Sequence, residues 1–207
     1  MYARSTTLTA DPTRMDDGIA DVRDNVMPAV LDMEGCTGLS MLCDPPSGRC
    51  IVTTAWDSEE AMAATRDRVG HLRDRAAERF GATAPQVQEW EIAAMHRLHP
   101  AGDDACARVT WSRCEPGRVA DVLDAFRTAM VPRMDDVPGF CSLSLMVDRQ
   151  TGMSSLTSVY TDRAAMNGSS ELVRRMREDF ITQMGMELVD MAEYDVVLHH
   201  LRVPELV

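Results

Sequence analysis

The sequence predicts an α+β fold built from two tandem βαββαβ units, and two observations support this. Residues 107–200 align with residues 3–96 without a gap, and about 21 of roughly 94 positions are identical, against on the order of six by chance. The order of strand, helix and turn signals is also the same in both copies. We therefore predict units at residues 1–101 and 102–207 that pack about a pseudo-twofold axis.

The first strand and helix of each copy have clear local signals. Residues 2–9 alternate in polarity and predict a strand. Asp11 and Pro12 then provide an N-cap and a first-turn proline for a helix, which Pro28 should kink or end. The corresponding residues of the second copy are Glu115, Pro116 and Pro132.

A hairpin, a helix and a last strand complete each copy. In the first copy, strands at about 36–43 and up to about 57 flank the turn 44–48, Ser58 caps a helix that ends near Gly81, and a strand follows at about 87–97. The second copy has Gly139 before its hairpin, the turn 148–152, a helix start at Thr161 or Asp162, Gly185, and a strand at about 188–201. This order is the ferredoxin-like split βαβ unit, with residues 99–103 as the linker.

Composition excludes several classes of function. The formal net charge of the 207 residues is -12, which argues against a nucleic-acid partner. No apolar run reaches 18 residues and the start lacks an apolar leader, so we expect no membrane span and a cytoplasmic location. All 21 basic residues are arginine, which excludes chemistry that needs a lysine. Nucleotide, hydrolase and zinc-protease motifs are absent, so we expect no cofactor.

The cysteines and histidines give no metal-binding pattern. The six cysteines include no C-x-x-C pair. Cys36, Cys43 and Cys50 are seven residues apart, a spacing that places neighbours on opposite faces of a strand. We interpret them as small buried hydrophobic residues in a reducing compartment. His199 and His200 are adjacent on a strand and should point to opposite faces, so we expect no metal.

Charged residues at matching positions are candidates for catalysis. Arg4 and Arg108 lie in the first strands, and Glu89 and Glu193 lie in the last strands, which are neighbours in this fold. One interpretation is a cross-strand Arg–Glu pair inside the barrel. The other is an arginine that stabilises an enolate or carboxylate on a ligand.

Histidines and large aromatic residues are further candidates. His96 and His200 end the last strands, either as capping or interface residues or as general bases, and His71 lies in a helix. The repeat also pairs large aromatic side chains that either pack in the core or stack on a flat ligand. These ligand-binding candidates are Trp56, Trp90, Tyr160 and Tyr194.

The segment Trp56-Asp-Ser-Glu-Glu-Ala-Met62 has its counterpart in Tyr160-Thr-Asp-Arg-Ala-Ala-Met166. With the hairpin before it, this segment resembles the dimeric α+β barrel superfamily, and within it the antibiotic-biosynthesis-monooxygenase group. The resemblance implies an intramolecular pseudo-dimeric α+β barrel that needs no partner chain to close, with further homodimerisation possible. It also implies a small apolar or aromatic ligand.

Two functions follow from this resemblance. One is a cofactor-independent monooxygenase that acts on a flat aromatic, polyketide or quinol substrate. The alternative is a non-catalytic binding or structural protein on the same scaffold. Haem-degrading members carry a tryptophan and a histidine at positions that hold Thr65 and Arg75 in the first copy, and Ser169 and Asp179 in the second. This departure argues against haem degradation.

The two copies should differ in their pockets. Methionines are concentrated in the second copy, which also contains Phe126, Phe140 and Phe180. We expect the phenylalanines to fill space, and the methionines to form either a soft, adaptable core or an adaptable apolar pocket. The more open cleft is then expected in the first copy, near Arg4, Trp56, His71 and Trp90.

Overall fold

The computed structural model describes residues 1–82 and 85–207 and confirms the predicted fold class. Among these residues, eight strands form one closed barrel in the order β1-β3-β2-β8-β5-β7-β6-β4. The barrel closes within one chain, as the sequence predicted.

The chain divides into two compact units. Unit 1 comprises Met1–Trp90 and Asp195–Val203, and unit 2 comprises Glu91–Tyr194 and Pro204–Val207. The boundaries therefore fall within the last strand of each repeat. The predicted boundary at residue 101 separates the two sequence repeats, whereas these units are defined by packing contacts. It therefore stays a prediction.

The first repeat contains four strands and two interrupted helical segments. Its strands are β1 (Tyr2–Thr9), β2 (Cys36–Asp44), β3 (Arg49–Trp56) and β4 (Gln86–Arg97). Its helices are α1 (Met15–Asp21), α2 (Met27–Leu31), α3 (Glu59–Ala64) and α4 (Arg66–Phe80). In unit 1, β3 pairs antiparallel with both β1 and β2.

The second repeat has the same order of elements. Its strands are β5 (Cys106–Arg113), β6 (Phe140–Asp148), β7 (Met153–Tyr160) and β8 (Glu187–Leu201). Its helices are α5 (Val119–Ala125), α6 (Val131–Met134), α7 (Arg163–Gly168) and α8 (Ser170–Met184). In unit 2, β7 pairs antiparallel with both β5 and β6.

Both prolines lie where the regular α-helix is interrupted, as predicted. A π-helical segment, Val22–Val26, joins α1 to α2, and Pro28 lies in the first turn of α2. The second repeat has the π-helical segment Phe126–Met130 in front of Pro132. A proline cannot donate a backbone hydrogen bond, and the wider π turn accommodates that loss.

The predicted caps form at the helices that follow each hairpin. Ser58 Oγ accepts a hydrogen bond from the Ala61 amide, and Asp162 Oδ1 accepts one from the Ala165 amide. Gly139 has a φ of 76°, and a Cβ at this position would clash with Ala165. A glycine is therefore required where the chain enters β6 and passes close to α7.

The interpretation of the evenly spaced cysteines was wrong in one respect. Cys43 and Cys50 lie in β2 and β3 directly opposite each other in the register, so they share a face. The rule of alternating faces applies along one strand, whereas the hairpin turn lies between these two residues. Their burial agrees with the prediction, since both are fully buried.

Candidate functional site

A cavity of about 910 Å³, including its mouth, lies in unit 2 between the sheet and the helices that cover it. Its walls are apolar, and its floor is formed by alternate residues of β5 and β7. The apolar lining includes Phe126, Met130, Met134, Leu145, Leu156, Val173, Met176, Phe180 and Met186. An apolar cavity with a few polar groups at one end is typical of a small-molecule site.

The π-helical segment shapes one wall of the cavity. Phe126 and Met130 are its first and last residues, and both line the cavity. The ring of Phe126 meets that of Phe180 from α8 edge to face, with centroids 6.1 Å apart. Two rings held against each other form a firm apolar wall suited to a flat ligand.

Arg108 supplies positive charge at the polar end of the cavity. Its side chain is buried, and Nη2 donates to Glu193 Oε1 at 2.8 Å and to Ser170 Oγ at 2.9 Å. The guanidinium carbon also lies 6.0 Å from the centroid of the Tyr160 ring. The predicted cross-strand Arg–Glu pair therefore forms. It lies on the helix-covered face of the sheet and not inside the barrel.

Tyr160 and Arg177 bring unpartnered donors to this end of the cavity. Tyr160 is fully buried, yet its hydroxyl has no hydrogen-bond partner, and the same is true of Arg177 Nε. Burial raises the pKa of Tyr160, with the Arg108 charge opposing the shift. Burial and the nearby Arg108 charge lower the pKa of Arg177. Buried polar groups are normally paired, so these two donors lack a contact that most buried polar groups have.

Unit 1 has a smaller version of the same cavity, of about 480 Å³. Valines take the place of larger apolar residues at four positions. Val22, Val26, Val30 and Val52 correspond to Phe126, Met130, Met134 and Leu156 of unit 2. A Cβ at Gly18 would clash with the Phe80 ring, which lines this cavity, whereas Val122 and Met184 occupy the equivalent positions in unit 2. The prediction that Phe126 and Phe180 fill the second copy was wrong, because their rings form the wall of its larger cavity.

Arg4 repeats the role of Arg108 in unit 1. Its Nη2 donates to Glu89 Oε1 at 2.8 Å and to the Met62 carbonyl at 2.8 Å, while Nη1 is buried without a partner. Arg66 also donates to Glu89, at 2.9 Å. Outside Arg4, an open polar cleft of about 810 Å³ contains the exposed His71. This cleft contains Arg4 and His71 of the cleft predicted in the first copy, but Trp56 and Trp90 do not line it, and the larger apolar cavity is in unit 2.

The predicted aromatic residues do not gather at one site. Tyr160 lines the unit 2 cavity, whereas Trp56 and Trp90 are outside the lining of the unit 1 cavity. Trp56 Nε1 donates to Thr54, and Trp90 Nε1 donates to Ser5 at 2.8 Å. Tyr194 is buried outside the unit 2 lining. Their proposed ligand-binding roles stay predictions.

The two strand-end histidines lie outside both cavities. His96 Nε2 is 2.7 Å from Asp135 Oδ1, and its Nδ1 is 3.3 Å from Glu205 Oε1. His200 is half-buried and lies opposite Leu39 in the pairing of β8 with β2. His96 thus contacts two carboxylates, and the proposed roles of both histidines stay predictions.

Sequence reasoning missed Arg177, although the repeat contained the signal. Arg177 aligns with Arg73, and both arginines line their cavities. Tyr160 aligns with Trp56, so the second copy replaces an indole that is satisfied locally with a phenol whose hydroxyl is unpartnered. The identity of Arg73 and Arg177 in the repeat, considered together with that of Arg4 and Arg108, could have identified Arg177 as a partner of Arg108 in the site.

No group of three or more His, Cys, Asp or Glu side chains within residues 1–82 and 85–207 is arranged to hold a metal ion. Over the same residues, no helix is both long enough and apolar enough to cross a membrane.

Two proteins of Mycobacterium tuberculosis strain H37Rv are similar to the whole chain. The uncharacterized protein Rv2558 is 44% identical over 208 residues, which cover 100% of this chain and 88% of the relative. The uncharacterized protein Rv2557 is 44% identical over 207 residues, covering 100% and 92%. No family model matches the sequence.

Solved structures share the fold at low sequence identity. An anthrone oxidase-like protein has a TM-score of 0.67 at 16% identity, covering 96% of this chain and 91% of its own. A ferredoxin-fold protein of Listeria monocytogenes related to antibiotic biosynthesis monooxygenases has a TM-score of 0.53 at 6% identity, with 95% of each chain covered. The heme-degrading enzyme LmHde of L. monocytogenes has a TM-score of 0.51 at 9% identity, covering 94% and 99%. These similarities confirm the predicted scaffold.

Proposed function

Because the chain belongs to the family of the uncharacterized proteins Rv2557 and Rv2558 of M. tuberculosis, we propose a function from the cavity itself. Unit 2 binds a flat, mostly apolar molecule that carries one phenolic or enolic oxygen. The observation that supports this most is the buried, unpartnered Tyr160 hydroxyl at the end of an apolar cavity of about 910 Å³.

The bound oxygen would sit among three donors. The Tyr160 hydroxyl donates to it, and the charges of Arg108 and Arg177 favour its anionic form over its protonated form. Ring stacking against Phe126 and Phe180 holds the rest of the molecule. The arrangement therefore lowers the pKa of a bound phenol or enol by electrostatics alone.

The candidate reaction is cofactor-independent oxygenation of this ligand. An anthrone illustrates the balance: its methylene carbon loses two hydrogens and gains one oxygen atom of O2, and the other oxygen leaves as water. The enolate supplies the electrons, and the dry cavity protects the intermediate. The anthrone oxidase-like and monooxygenase-related proteins that share the fold support this reaction class by analogy.

The alternative is binding without catalysis. Within the described lining of the unit 2 cavity there is no histidine, aspartate or glutamate that could take the proton. Glu193 lies beside the cavity, but it is paired with Arg108. Without a free base at the cavity, a proton lost by the bound phenol or enol must pass to water. The absence of such a base from the described lining favours a ligand carrier.

Oxygen consumption separates the two functions. The protein is mixed with a hydroxylated anthrone in air, and dissolved oxygen and quinone formation are followed together. An enzyme consumes one O2 per quinone, at a rate that falls in Tyr160→Phe. A carrier binds the anthrone, shown by quenching of its fluorescence, without accelerating oxygen uptake. Failure to bind any flat phenol or enol rejects both.

A further inference from the structure

Cys43 and Cys50 form a pair of thiols in unit 1 that the candidate site does not use. Each is fully buried, and their sulfur atoms are 2.7 Å apart. The Met15 thioether sulfur lies 3.4 Å from Cys50 Sγ, so one side of the pair is apolar. Neither cysteine lines the unit 1 cavity.

The distance between the sulfurs is shorter than ordinary contact. Heavy atoms the size of carbon stay about 3.5 Å or more apart, and sulfur is larger. The backbone also suits a covalent link, because Cys43 and Cys50 are directly opposite each other in an antiparallel ladder. Opposed residues there have Cα atoms about 4.5–5.5 Å apart, within the range that disulfides span.

We propose that Cys43 and Cys50 are a redox-active dithiol, which hydrogen peroxide oxidises to a cross-strand disulfide within unit 1. One thiolate attacks a peroxide oxygen and becomes a sulfenic acid, releasing the first water. The second thiol attacks that sulfur, the S–S bond forms, and the second water leaves. Two thiols and one hydrogen peroxide thus give one disulfide and two waters.

The surroundings of the pair set its rate and its stability. The neighbouring Cys50 thiol, burial and the charge of Asp195 all raise the pKa of Cys43. Since the thiolate is the reactive form, oxidation of the native dithiol is slow. The same burial protects the disulfide from reductants once it has formed, so the link is a long-lived state rather than a rapid switch.

The second repeat provides a matched control for this pair. Val147 and Ser154 occupy the equivalent positions and also lie opposite each other, in β6 and β7. The double variant Cys43→Val/Cys50→Ser therefore gives unit 1 a pair with which unit 2 already folds. It removes the link with little change in side-chain volume.

The test compares two ways of oxidising the full chain. In one, the reduced native protein is treated with hydrogen peroxide; in the other, it is unfolded in urea and refolded in a glutathione redox buffer. Both samples are denatured with N-ethylmaleimide and digested with trypsin, which cuts after Arg49 between the two cysteines. We expect the peptide 24–49 to be linked to the peptide that begins at Cys50, with the loss of two hydrogens and with Cys36, Cys106, Cys114 and Cys141 alkylated. Fragmentation of the linked peptides then places the link at Cys43 and not at Cys36.

Thermal unfolding gives an independent measurement. The linked protein should melt about 5 °C above the reduced protein, because the link restricts the unfolded chain. The double variant should melt at the same temperature in both redox conditions. Full alkylation of Cys43 and Cys50 after both treatments overturns the proposal. A link that forms only on refolding supports the pairing and overturns hydrogen peroxide as its oxidant.

Discussion

Replacing Tyr160 with phenylalanine separates the effect of the unpartnered hydroxyl on stability from its effect on ligand binding. The hydroxyl is buried without a partner, and such a group costs about 1–3 kcal/mol in the unliganded protein. Tyr160→Phe keeps the ring that packs edge to face with Phe140. We therefore expect the variant to be as stable as the parent or up to about 3 kcal/mol more stable in denaturant unfolding.

Ligand binding should change in the opposite direction. A hydrogen bond to a charged oxygen contributes about 1.5–3 kcal/mol, and every 1.4 kcal/mol is tenfold in Kd. Isothermal titration with a hydroxylated anthrone, kept anaerobic, should therefore show Kd rising about 10- to 100-fold in Tyr160→Phe. An analogue without the oxygen should bind both proteins equally. A variant that is less stable and binds the hydroxylated ligand with unchanged affinity would refute the reasoning.

Three further predictions follow from the same structure. Arg108→Met should weaken anionic ligand binding at least tenfold by titration, whereas Arg4→Met should change it less than twofold, because the larger cavity is in unit 2; equal effects would contradict this assignment. Gly139→Ala should lower the free energy of unfolding by about 1–3 kcal/mol and Tm by about 5 °C in calorimetry, because residue 139 has a positive φ and a Cβ there would clash with Ala165. The control Gly117→Ala should have almost no effect, because there is open space around Gly117. Burial raises the pKa of Glu89, but hydrogen bonds from Arg4 and Arg66 outweigh burial and leave the pKa below its usual value. The ionised Glu89 therefore stabilises the folded protein above about pH 4.5, and this stabilisation is lost as the pH falls through the lower pKa of the folded state. Glu89→Gln should reduce the loss of unfolding free energy at acid pH, and an unchanged loss would argue against the Arg4–Glu89 pair.

The order of elements could be predicted from sequence because local rules and the repeat agree. Ser58 and Asp162 cap their helices, and Gly81 and Gly185 end theirs in the left-handed conformation. The Arg4–Glu89 pair followed from the adjacency of first and last strands. Each of these features depends on neighbours in sequence or on one known strand pairing.

The relative size of the two cavities could not be predicted in this way. It depends on how several substitutions combine in three dimensions, such as Gly18 with Phe80 in one unit against Val122 with Met184 in the other. A count of large side chains gave the wrong direction, because Phe126 and Phe180 pack against each other and leave the space beside them open. The direction of the side chains determines which cavity is larger, and amino-acid composition alone does not predict that direction.

The pairing of Cys43 with Cys50 was missed for a similar reason. A spacing of seven was treated as a step along one strand, although a turn at 45–48 reverses the chain between the two residues. The predicted hairpin already contained the answer, since its register places the two positions opposite each other. A residue spacing therefore predicts which side chains share a face only when the turns between the residues are taken into account.

A ligand bound in unit 2 should place its oxygen at Tyr160. A crystal structure of the protein with a hydroxylated anthrone, grown without oxygen, tests this directly. We expect density for the rings beside Phe126 and Phe180, with the ligand oxygen within about 3.2 Å of the Tyr160 hydroxyl. Ligand density confined to unit 1, or an oxygen directed away from Tyr160 and Arg108, would contradict it.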